Sequence, residues 1–137
     1  MRTRTSIQLR FNDVDMARHV HNAVYLSYFE QGRMDLLRSF IPKEHDWSRQ
    51  GMILARNEVD YLIPLHLSDT VEVETWCSKL GTKSFDLSYA LFAKRDGPRR
   101  IHAQGRSIMV CFDHEKQASI PIPDAWRKAL ARMMVGD

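Results

Sequence analysis

The residues with the clearest capacity for chemistry lie in one short segment, FNDVDMARHVHN, residues 11–22. Asp13 and Asp15 stand two apart, His19 and His21 follow two apart, and Asn22 closes the segment. Carboxylates and imidazoles bind metals and also act as bases or nucleophiles. The segment is therefore consistent with a calcium loop, a transition-metal site, or a catalytic carboxylate beside the start of a helix.

A calcium loop is excluded by the residues that follow the two aspartates. Asp13 and Asp15 match the first and third positions of such a loop, and Ala17 at the fifth offers no side-chain oxygen. The sixth position requires Gly but holds Arg18, and the twelfth requires a bidentate Glu but holds Val24. Too few oxygen ligands remain to bind calcium.

A zinc or iron site is disfavoured by the spacing of the histidines. His19 and His21 lie two apart, and residues at this spacing in an extended loop point to opposite sides. No third ligand stands at helical spacing, and no Ser or Cys nearby is paired with a histidine as a nucleophile. The sequence therefore predicts no metal and no cofactor.

The third kind of site places a carboxylate a few residues ahead of a helix. The first turn of a helix has unpaired N–H groups and the positive end of the helix dipole, which stabilise a carbonyl oxygen that gains negative charge. An Asp facing such donors acts as a nucleophile or as a base that activates water. This arrangement suits acyl transfer. The alternative is that Asp13 and Asp15 only bond loop amides.

The helix that follows is the main positioning element. Residues 7–11 alternate as a short strand, and residues 22 to about 40 form an amphipathic helix that begins at the N-cap residue Asn22 and ends before Pro42. Gly32 in mid-helix predicts close packing against a sheet. The stripe that faces the core consists of Tyr25, Phe29, Gly32, Leu36 and Phe40.

The second half of the chain predicts four strands and a short helix. The pattern indicates an antiparallel meander with a helix on one face, an α+β fold in which residues 1–137 form one domain. Such a sheet has exposed edges, so we expect a dimer. The predicted strands are residues 52–63, 70–80, 84–94 and 100–112, and the helix is residues 125–134.

Composition sets limits on the protein class. Hydrophobic residues make up 44% and charged residues 27%, as in ordinary globular proteins. The longest apolar run, residues 108–112, is far shorter than the roughly 20 residues of a membrane helix, and no signal core follows the start. A cytoplasmic protein with no membrane partner is predicted.

Charge and cysteine content narrow the class further. The net charge of +3 and a pI near 9.0 come from scattered residues, and this charge fits a small polyanionic ligand at least as well as DNA. No aromatic and basic motif is present, so no nucleic-acid partner is predicted. Cys77 and Cys111 lie in separate strand-like stretches. We interpret both as reduced core residues.

Two longer stretches resemble the hot-dog-fold acyl-CoA thioesterases of the 4-hydroxybenzoyl-CoA thioesterase type. FNDVDMARHVHNAVYLSYFEQGR carries an Asp-x-Asp pair, then His-Val, Asn, Tyr, and a Glu followed three residues later by Arg. AQGRSIMVCFDHEKQASIPIPDAWRKAL is similar to the last strand and the proline-led final helix of that family. The resemblance implies a long central helix wrapped by a curved antiparallel sheet of about five strands. It also implies a homodimer, with a homotetramer as the larger alternative, and active sites at the subunit interface.

The resemblance also implies roles for individual residues. Asp15 corresponds to the catalytic carboxylate, and the amide of Asn22 or Ala23 to the group that polarises the thioester carbonyl. His19 orders the loop or touches substrate, and Tyr25 contacts substrate. Asp13 fixes the loop, and Glu30 and Arg33 form a helical ion pair.

The chain departs from the usual family pattern at two positions. Arg18 replaces a common Gly and His21 a common second Asn, and Arg18 could meet a carboxylated acyl group. Candidate contacts for the phosphates of coenzyme A are Lys79, Lys83 and Arg106.

These observations predict a thioesterase that hydrolyses an acyl-CoA, or an acyl carrier protein thioester, to a free acid and a thiol. Three alternatives stay open: a non-catalytic acyl-thioester binding module, a dehydratase of the same fold, and a dimer that only mediates interactions.

Overall fold

The computed structural model describes residues 1–134. A single 3₁₀ turn, Phe11–Asp13, lies between the first strand and the first helix. In chain order the other elements are β1 (Thr3–Ile7), α1 (Val24–Arg38), β2 (Gly51–Tyr61), β3 (Thr70–Leu80), β4 (Ser84–Lys94), β5 (Arg100–Asp113), β6 (Ala118–Ser119) and α2 (Asp124–Arg132).

The sheet has the order β1-β3-β4-β5-β2, and all of its pairs are antiparallel. The short strand β6 pairs with β5. The predicted meander holds for β3, β4 and β5, but it is wrong for β2, which pairs with β5 at the far edge. Alternation marks a residue pattern as a strand and does not identify the neighbouring strand. The α+β class and the wrapping of a long helix by the sheet are confirmed.

The first predicted strand is wrong in position, because β1 occupies Thr3–Ile7 and residues 8–11 lie outside it. Thr5 and Ile7 point inward, and the hydroxyl of Thr5 donates to Asp35 of α1 at 2.7 Å. Phe11 is 80% exposed at the start of the 3₁₀ turn. The inward-facing residue Thr5 is polar like its neighbours, so residues 3–6 showed no alternation of apolar and polar residues. The apolar but exposed Phe11 made residues 8–11 resemble a strand.

Helix α1 packs on the sheet through the predicted stripe. Tyr25, Phe29 and Leu36 are buried in the core. A β-carbon on Gly32 would lie 2.5 Å from Oγ1 of Thr75, so the backbone of α1 comes close to β3 at this point. The predicted reason for a glycine in mid-helix is confirmed.

The predicted N-cap role of Asn22 is wrong. Ala23 precedes the helix, in helical conformation and without a side-chain cap. The amide of Val24 donates to the carbonyl of His21, and that of Tyr25 to the carbonyl of Asn22. The chain thus enters α1 through tight turns that pair these amides with backbone, and the Asn22 side chain caps neither.

Two smaller predictions are confirmed. Cys77 and Cys111 are free and buried, and burial raises the pKa of both thiols to about 11. Arg33 pairs with Glu30 at 3.5 Å and also donates to the hydroxyl of Tyr89.

Among residues 1–134, no helix has the length and apolar character needed to cross a membrane.

Candidate active site

The Asp15 loop, residues 14–20, is closed by a bridge between Val14 and Val20. Oδ1 of Asp15 accepts hydrogen bonds from the amides of Ala17 at 2.9 Å and His19 at 3.1 Å. These bonds lower the pKa of Asp15, the His19 amide contributing most. The other carboxylate oxygen, Oδ2, has no hydrogen-bond partner in the described part of the chain. Asp15 therefore presents an exposed, anionic oxygen held at a fixed position.

Asp13 anchors the Asp15 loop to the protein. Its carboxylate is buried and accepts hydrogen bonds from the amide of Arg10 at 3.0 Å and the hydroxyl of Tyr28 at 2.8 Å. Burial raises the pKa of Asp13, but these bonds and the Arg10 guanidinium outweigh it, so the pKa lies below its usual value. The carbonyl of Asp13 also accepts the amide of His21. The prediction that Asp13 fixes the loop is confirmed.

The start of α1 offers two free backbone donors. Within residues 1–134, the amides of Asn22 and Ala23 donate no hydrogen bond, whereas those of Val24 and Tyr25 bond to preceding carbonyls. Both free donors stand at the positive end of the α1 dipole. The carbonyl of Asn22 accepts the hydroxyl of Tyr61 at 3.0 Å, which ties the helix start to the end of β2.

Asp15 borders two cavities. The polar cavity, of about 370 Å³, lies between the Asp15 loop, the start of α1 and residues 61–64. It is lined by Asp15, His19, Val20, His21, Asn22, Tyr25, Tyr61, Leu62, Ile63 and Pro64. The outer groove, of about 940 Å³, lies between the Asp15 loop and residues 66–68. It is lined by Phe11, Val14, Asp15, Met16, Arg18, His21, His66, Leu67 and Ser68.

The structure brings most of the predicted site residues together. Asp15, His19, Asn22 and Tyr25 line the polar cavity, the Ala23 amide adjoins it in sequence, and Arg18 lines the outer groove. The hydroxyl of Tyr25 accepts the amide of Leu65 at 3.2 Å, which holds the cavity wall against α1.

The three predicted phosphate contacts lie elsewhere in the subunit. Lys79 is exposed near the end of β3, and Lys83 is exposed in the turn before β4. Arg106 on β5 pairs with Glu58 at 3.1 Å and with Asp86 at 3.3 Å. None of the three lines either cavity beside Asp15.

Sequence reasoning missed the wall that faces α1. Tyr61 and residues 62–64 complete the polar cavity, and His66 and Leu67 line the outer groove. A backbone bridge between His19 and His66 brings this connection against the Asp15 loop. The turn signal at residues 64–69 was visible in the sequence, but its contact with residue 19 is long-range.

No group of three or more His, Cys, Asp or Glu side chains is arranged to hold a metal ion in residues 1–134.

The fold is that of the hot-dog thioesterases. A predicted thioesterase from Bacillus stearothermophilus superposes with a TM-score of 0.89 at 26% identity, over 100% of this chain and 99% of that one. A thioesterase from Thermus thermophilus, solved with coenzyme A and Zn, superposes with a TM-score of 0.80 at 32% identity, covering 95% and 92% of the two chains.

The chain belongs to the Thioesterase-like superfamily, which its residues 9–130 match. It is 26% identical to the long-chain acyl-CoA thioesterase FadM of Escherichia coli K12, over 95% of this chain and 98% of that protein. It is 28% identical to a 1,4-dihydroxy-2-naphthoyl-CoA hydrolase of Thermosynechococcus vestitus, over 88% and 85%. The predicted family and the predicted class of enzyme, a thioester hydrolase, are confirmed.

Proposed function

We propose that the protein hydrolyses acyl-CoA thioesters to the free acid and coenzyme A, with Asp15 and the start of α1 as the catalytic groups. The observation that carries this proposal is the presence of an anionic carboxylate oxygen at a cavity that Asn22 also lines, where the amides of Asn22 and Ala23 donate no hydrogen bond within residues 1–134. Relatives named as acyl-CoA thioesterases, and a related structure that holds coenzyme A, support the choice of substrate.

The proposed reaction begins when the thioester carbonyl oxygen accepts hydrogen bonds from the amides of Asn22 and Ala23. These donors stabilise the negative charge that develops on that oxygen.

Asp15 acts in one of two ways. As a base it takes a proton from water, whose hydroxide adds to the carbonyl carbon; the intermediate then collapses and the departing thiolate takes the proton. As a nucleophile it displaces the thiolate to form an anhydride, which water then hydrolyses.

The residues around Asp15 position these groups. The His19 amide holds the Asp15 carboxylate, so the backbone of His19 acts on catalysis through Asp15. Tyr25 and Tyr61 form the wall of the polar cavity. Arg18 lies in the outer groove, where it is available to the substrate.

Pairing between β2 strands of two subunits would bring the distant lysines to the site. β2 is an edge strand and exposes Ile53 and Leu54. Two β2 strands related by a two-fold axis run antiparallel, so the β3–β4 turn of one subunit lies at the same end of the joined sheet as the partner's Asp15 loop. β4 and β3, which the turn joins, lie two and three strands from β2. At a spacing of about 4.8 Å per strand, the turn is therefore about 10 to 15 Å from the β2 edge. A homodimer of this kind would place Lys79 and Lys83 near the nucleotide end of coenzyme A.

Arg106 is the weakest of the three phosphate candidates. Its guanidinium is already paired with Glu58 and Asp86, so contact with a phosphate requires the loss of those pairs. We therefore propose Lys79 and Lys83 as the main phosphate contacts. Acyl carrier protein as thiol carrier, assembly of dimers into tetramers and a cytoplasmic location stay predictions.

The test measures thiol release from short, long, branched and aromatic acyl-CoAs. We expect turnover of at least one class, and a fall in kcat of about a hundredfold or more in Asp15→Asn, as is typical when a positioned base is removed. Asp96→Asn, which changes an exposed carboxylate of the β4–β5 hairpin, is the matched control and should keep full activity. Equal turnover by wild type and Asp15→Asn would reject the role of Asp15. Tight binding of acyl-CoA without turnover by wild type would favour the binding module.

A further inference from the structure

The reaction proposed above uses the outer groove only at Asp15 and Arg18 and assigns no ligand to its apolar part. Its volume of about 940 Å³ is at the upper end of the range for small-molecule sites, about 300 to 1,000 Å³. Phe11, Val14, Met16 and Leu67 form the apolar part of its lining, and the remaining lining residues are polar: Asp15, Arg18, His21, His66 and Ser68. A groove that combines an apolar surface with a few polar groups matches a ligand that carries a long apolar segment.

Two of the apolar side chains that line the outer groove are unusually exposed to solvent. Phe11 is 80% exposed, and Met16 is fully exposed. Large apolar side chains that line one groove and stand in water are typical of a surface that a ligand covers. The backbone that carries them is held in place, because Asp13 fixes one end of the loop and the bridge from Val14 to Val20 closes it. The groove therefore exists before any ligand binds.

The groove and the polar cavity meet at Asp15. Asp15 and His21 line both spaces. A thioester whose carbonyl carbon lies against Asp15 thus extends one arm into each space. The polar cavity offers the side chains of Asn22, Tyr25 and Tyr61 and opens beside the β2 edge. These groups suit the amide-containing arm of coenzyme A, which leaves the outer groove for the acyl arm.

We propose that the outer groove binds a linear acyl chain, with Phe11 and Met16 as the contacts that select medium and long chains. This inference rests on the proposed function, because it is the thioester at Asp15 that places the chain. It assigns the substrate class: linear fatty acyl-CoA rather than short or compact acyl groups.

The test compares kcat/KM for butyryl-, octanoyl-, dodecanoyl- and palmitoyl-CoA, each below its micelle concentration. In wild type we expect kcat/KM to rise with length by up to about fourfold for each methylene that becomes buried. In Met16→Ser and Phe11→Ser we expect kcat/KM for dodecanoyl- and palmitoyl-CoA to fall by about tenfold or more. We expect kcat/KM for butyryl-CoA to change by less than about twofold. Met134→Ser changes an exposed methionine outside both cavities and should leave the whole series unchanged.

Each contrary result has a distinct meaning. Equal losses at every chain length would overturn the assignment, because they would place the coenzyme A arm in the groove. Unchanged kcat/KM in both variants, or a flat series in wild type, would overturn it as well. Absence of thiol release from every acyl-CoA would instead reject the proposed function. Met16 is fully exposed, so Met16→Ser should melt at the wild-type temperature, which separates substrate effects from folding.

Discussion

Asp15 and His19 exchange two hydrogen bonds across the loop: the Asp15 amide donates to the His19 carbonyl at 2.9 Å, and the Asp15 carboxylate accepts the His19 amide at 3.1 Å. The pair closes the loop and keeps Oδ1 occupied. The chemistry proposed for this carboxylate therefore falls to Oδ2, whose direction is set by backbone.

The first prediction concerns the pH dependence of activity. The His19 amide, followed by other loop contacts, lowers the pKa of Asp15 below its ordinary value of 3.8, so the carboxylate is charged at neutral pH. A base or nucleophile must be deprotonated, so activity should be lost only as the pH falls below about 4. In a profile of kcat/KM between about pH 5 and pH 8, we therefore expect no acid limb, that is, no fall toward low pH, from the protonation of Asp15.

Histidines near the site need a control in that experiment. An acid limb that disappears in His19→Ala or His21→Ala does not come from Asp15. An acid limb in this range that persists in His19→Ala, His21→Ala and His66→Ala would contradict the lowered pKa of Asp15.

The second prediction concerns stability. Asp13→Ala should lower the free energy of unfolding by about 2 kcal/mol or more at pH 7, since it removes charged hydrogen bonds and leaves the Tyr28 hydroxyl without its partner. The pKa of Asp13 is lowered on folding, so its contribution to stability is fully present above the ordinary value of 3.8 and is lost as the pH falls through the lower folded value.

Urea unfolding at pH 7 and in acid measures both parts of this prediction. Tyr28→Phe, alone and combined with Asp13→Ala, isolates the coupling between the two side chains. Additive effects of the two substitutions would show that the 2.8 Å contact contributes nothing of its own.

The third prediction concerns Gly32. A methyl group there would lie 2.5 Å from Oγ1 of Thr75, and we expect Gly32→Ala to destabilise by about 1 to 3 kcal/mol, as overpacking usually does. Helix propensity alone predicts a gain of about 1 kcal/mol, so the sign distinguishes the two effects. Thermal and urea unfolding give the measurement.

Thr75 provides an internal check. Its buried hydroxyl has no hydrogen-bond partner in the described residues, so Thr75→Ala should restore much of the stability that Gly32→Ala removes. Gly97→Ala, at a position with open space around the added methyl, should cost little. A stabilised Gly32→Ala variant would refute the close packing of α1 on β3.

The fourth prediction concerns Arg18, which has a φ of 65°, in the left-handed region that favours Gly. A left-handed conformation costs a non-glycine residue about 1 to 2 kcal/mol, so Arg18→Gly should be as stable as wild type or more stable. Arg18→Ala keeps the strain and should show no such gain. Equal stability of the two variants would indicate that this loop relaxes to another conformation.

The fifth prediction concerns assembly. Leu54→Lys introduces a charge on the β2 edge, where Leu54 is 43% exposed, and should shift the protein from dimer to monomer. Because the proposed phosphate contacts come from the partner, activity should fall together with dimer content. Analytical ultracentrifugation gives the mass, and Met134→Lys is the control. A monomeric wild type would reject the dimer.

Local patterns predicted most elements because their causes are local. Alternation located β3 and β4, and the stripe through Tyr25, Phe29 and Leu36 located α1. The errors arose where the deciding contact is remote: Thr5 belongs to β1 because it pairs with Val73 of β3, and β2 pairs with the distant strand β5. Residue spacing contains no information on such partners.

In the candidate site, too, some features follow from local sequence and others from remote contacts. The sequence by itself determined the carboxylate, its place a few residues ahead of a helix, and the buried stripe that orients that helix, because side-chain chemistry and helical periodicity are properties of a continuous segment. Only the tertiary structure decided that Oδ2 of Asp15 has no hydrogen-bond partner among residues 1–134, that Tyr61 lines the polar cavity, and that Met16 lines the outer groove. These features depend on how residues 61–68 fold back against the loop, and that packing is set by long-range contacts across the whole chain.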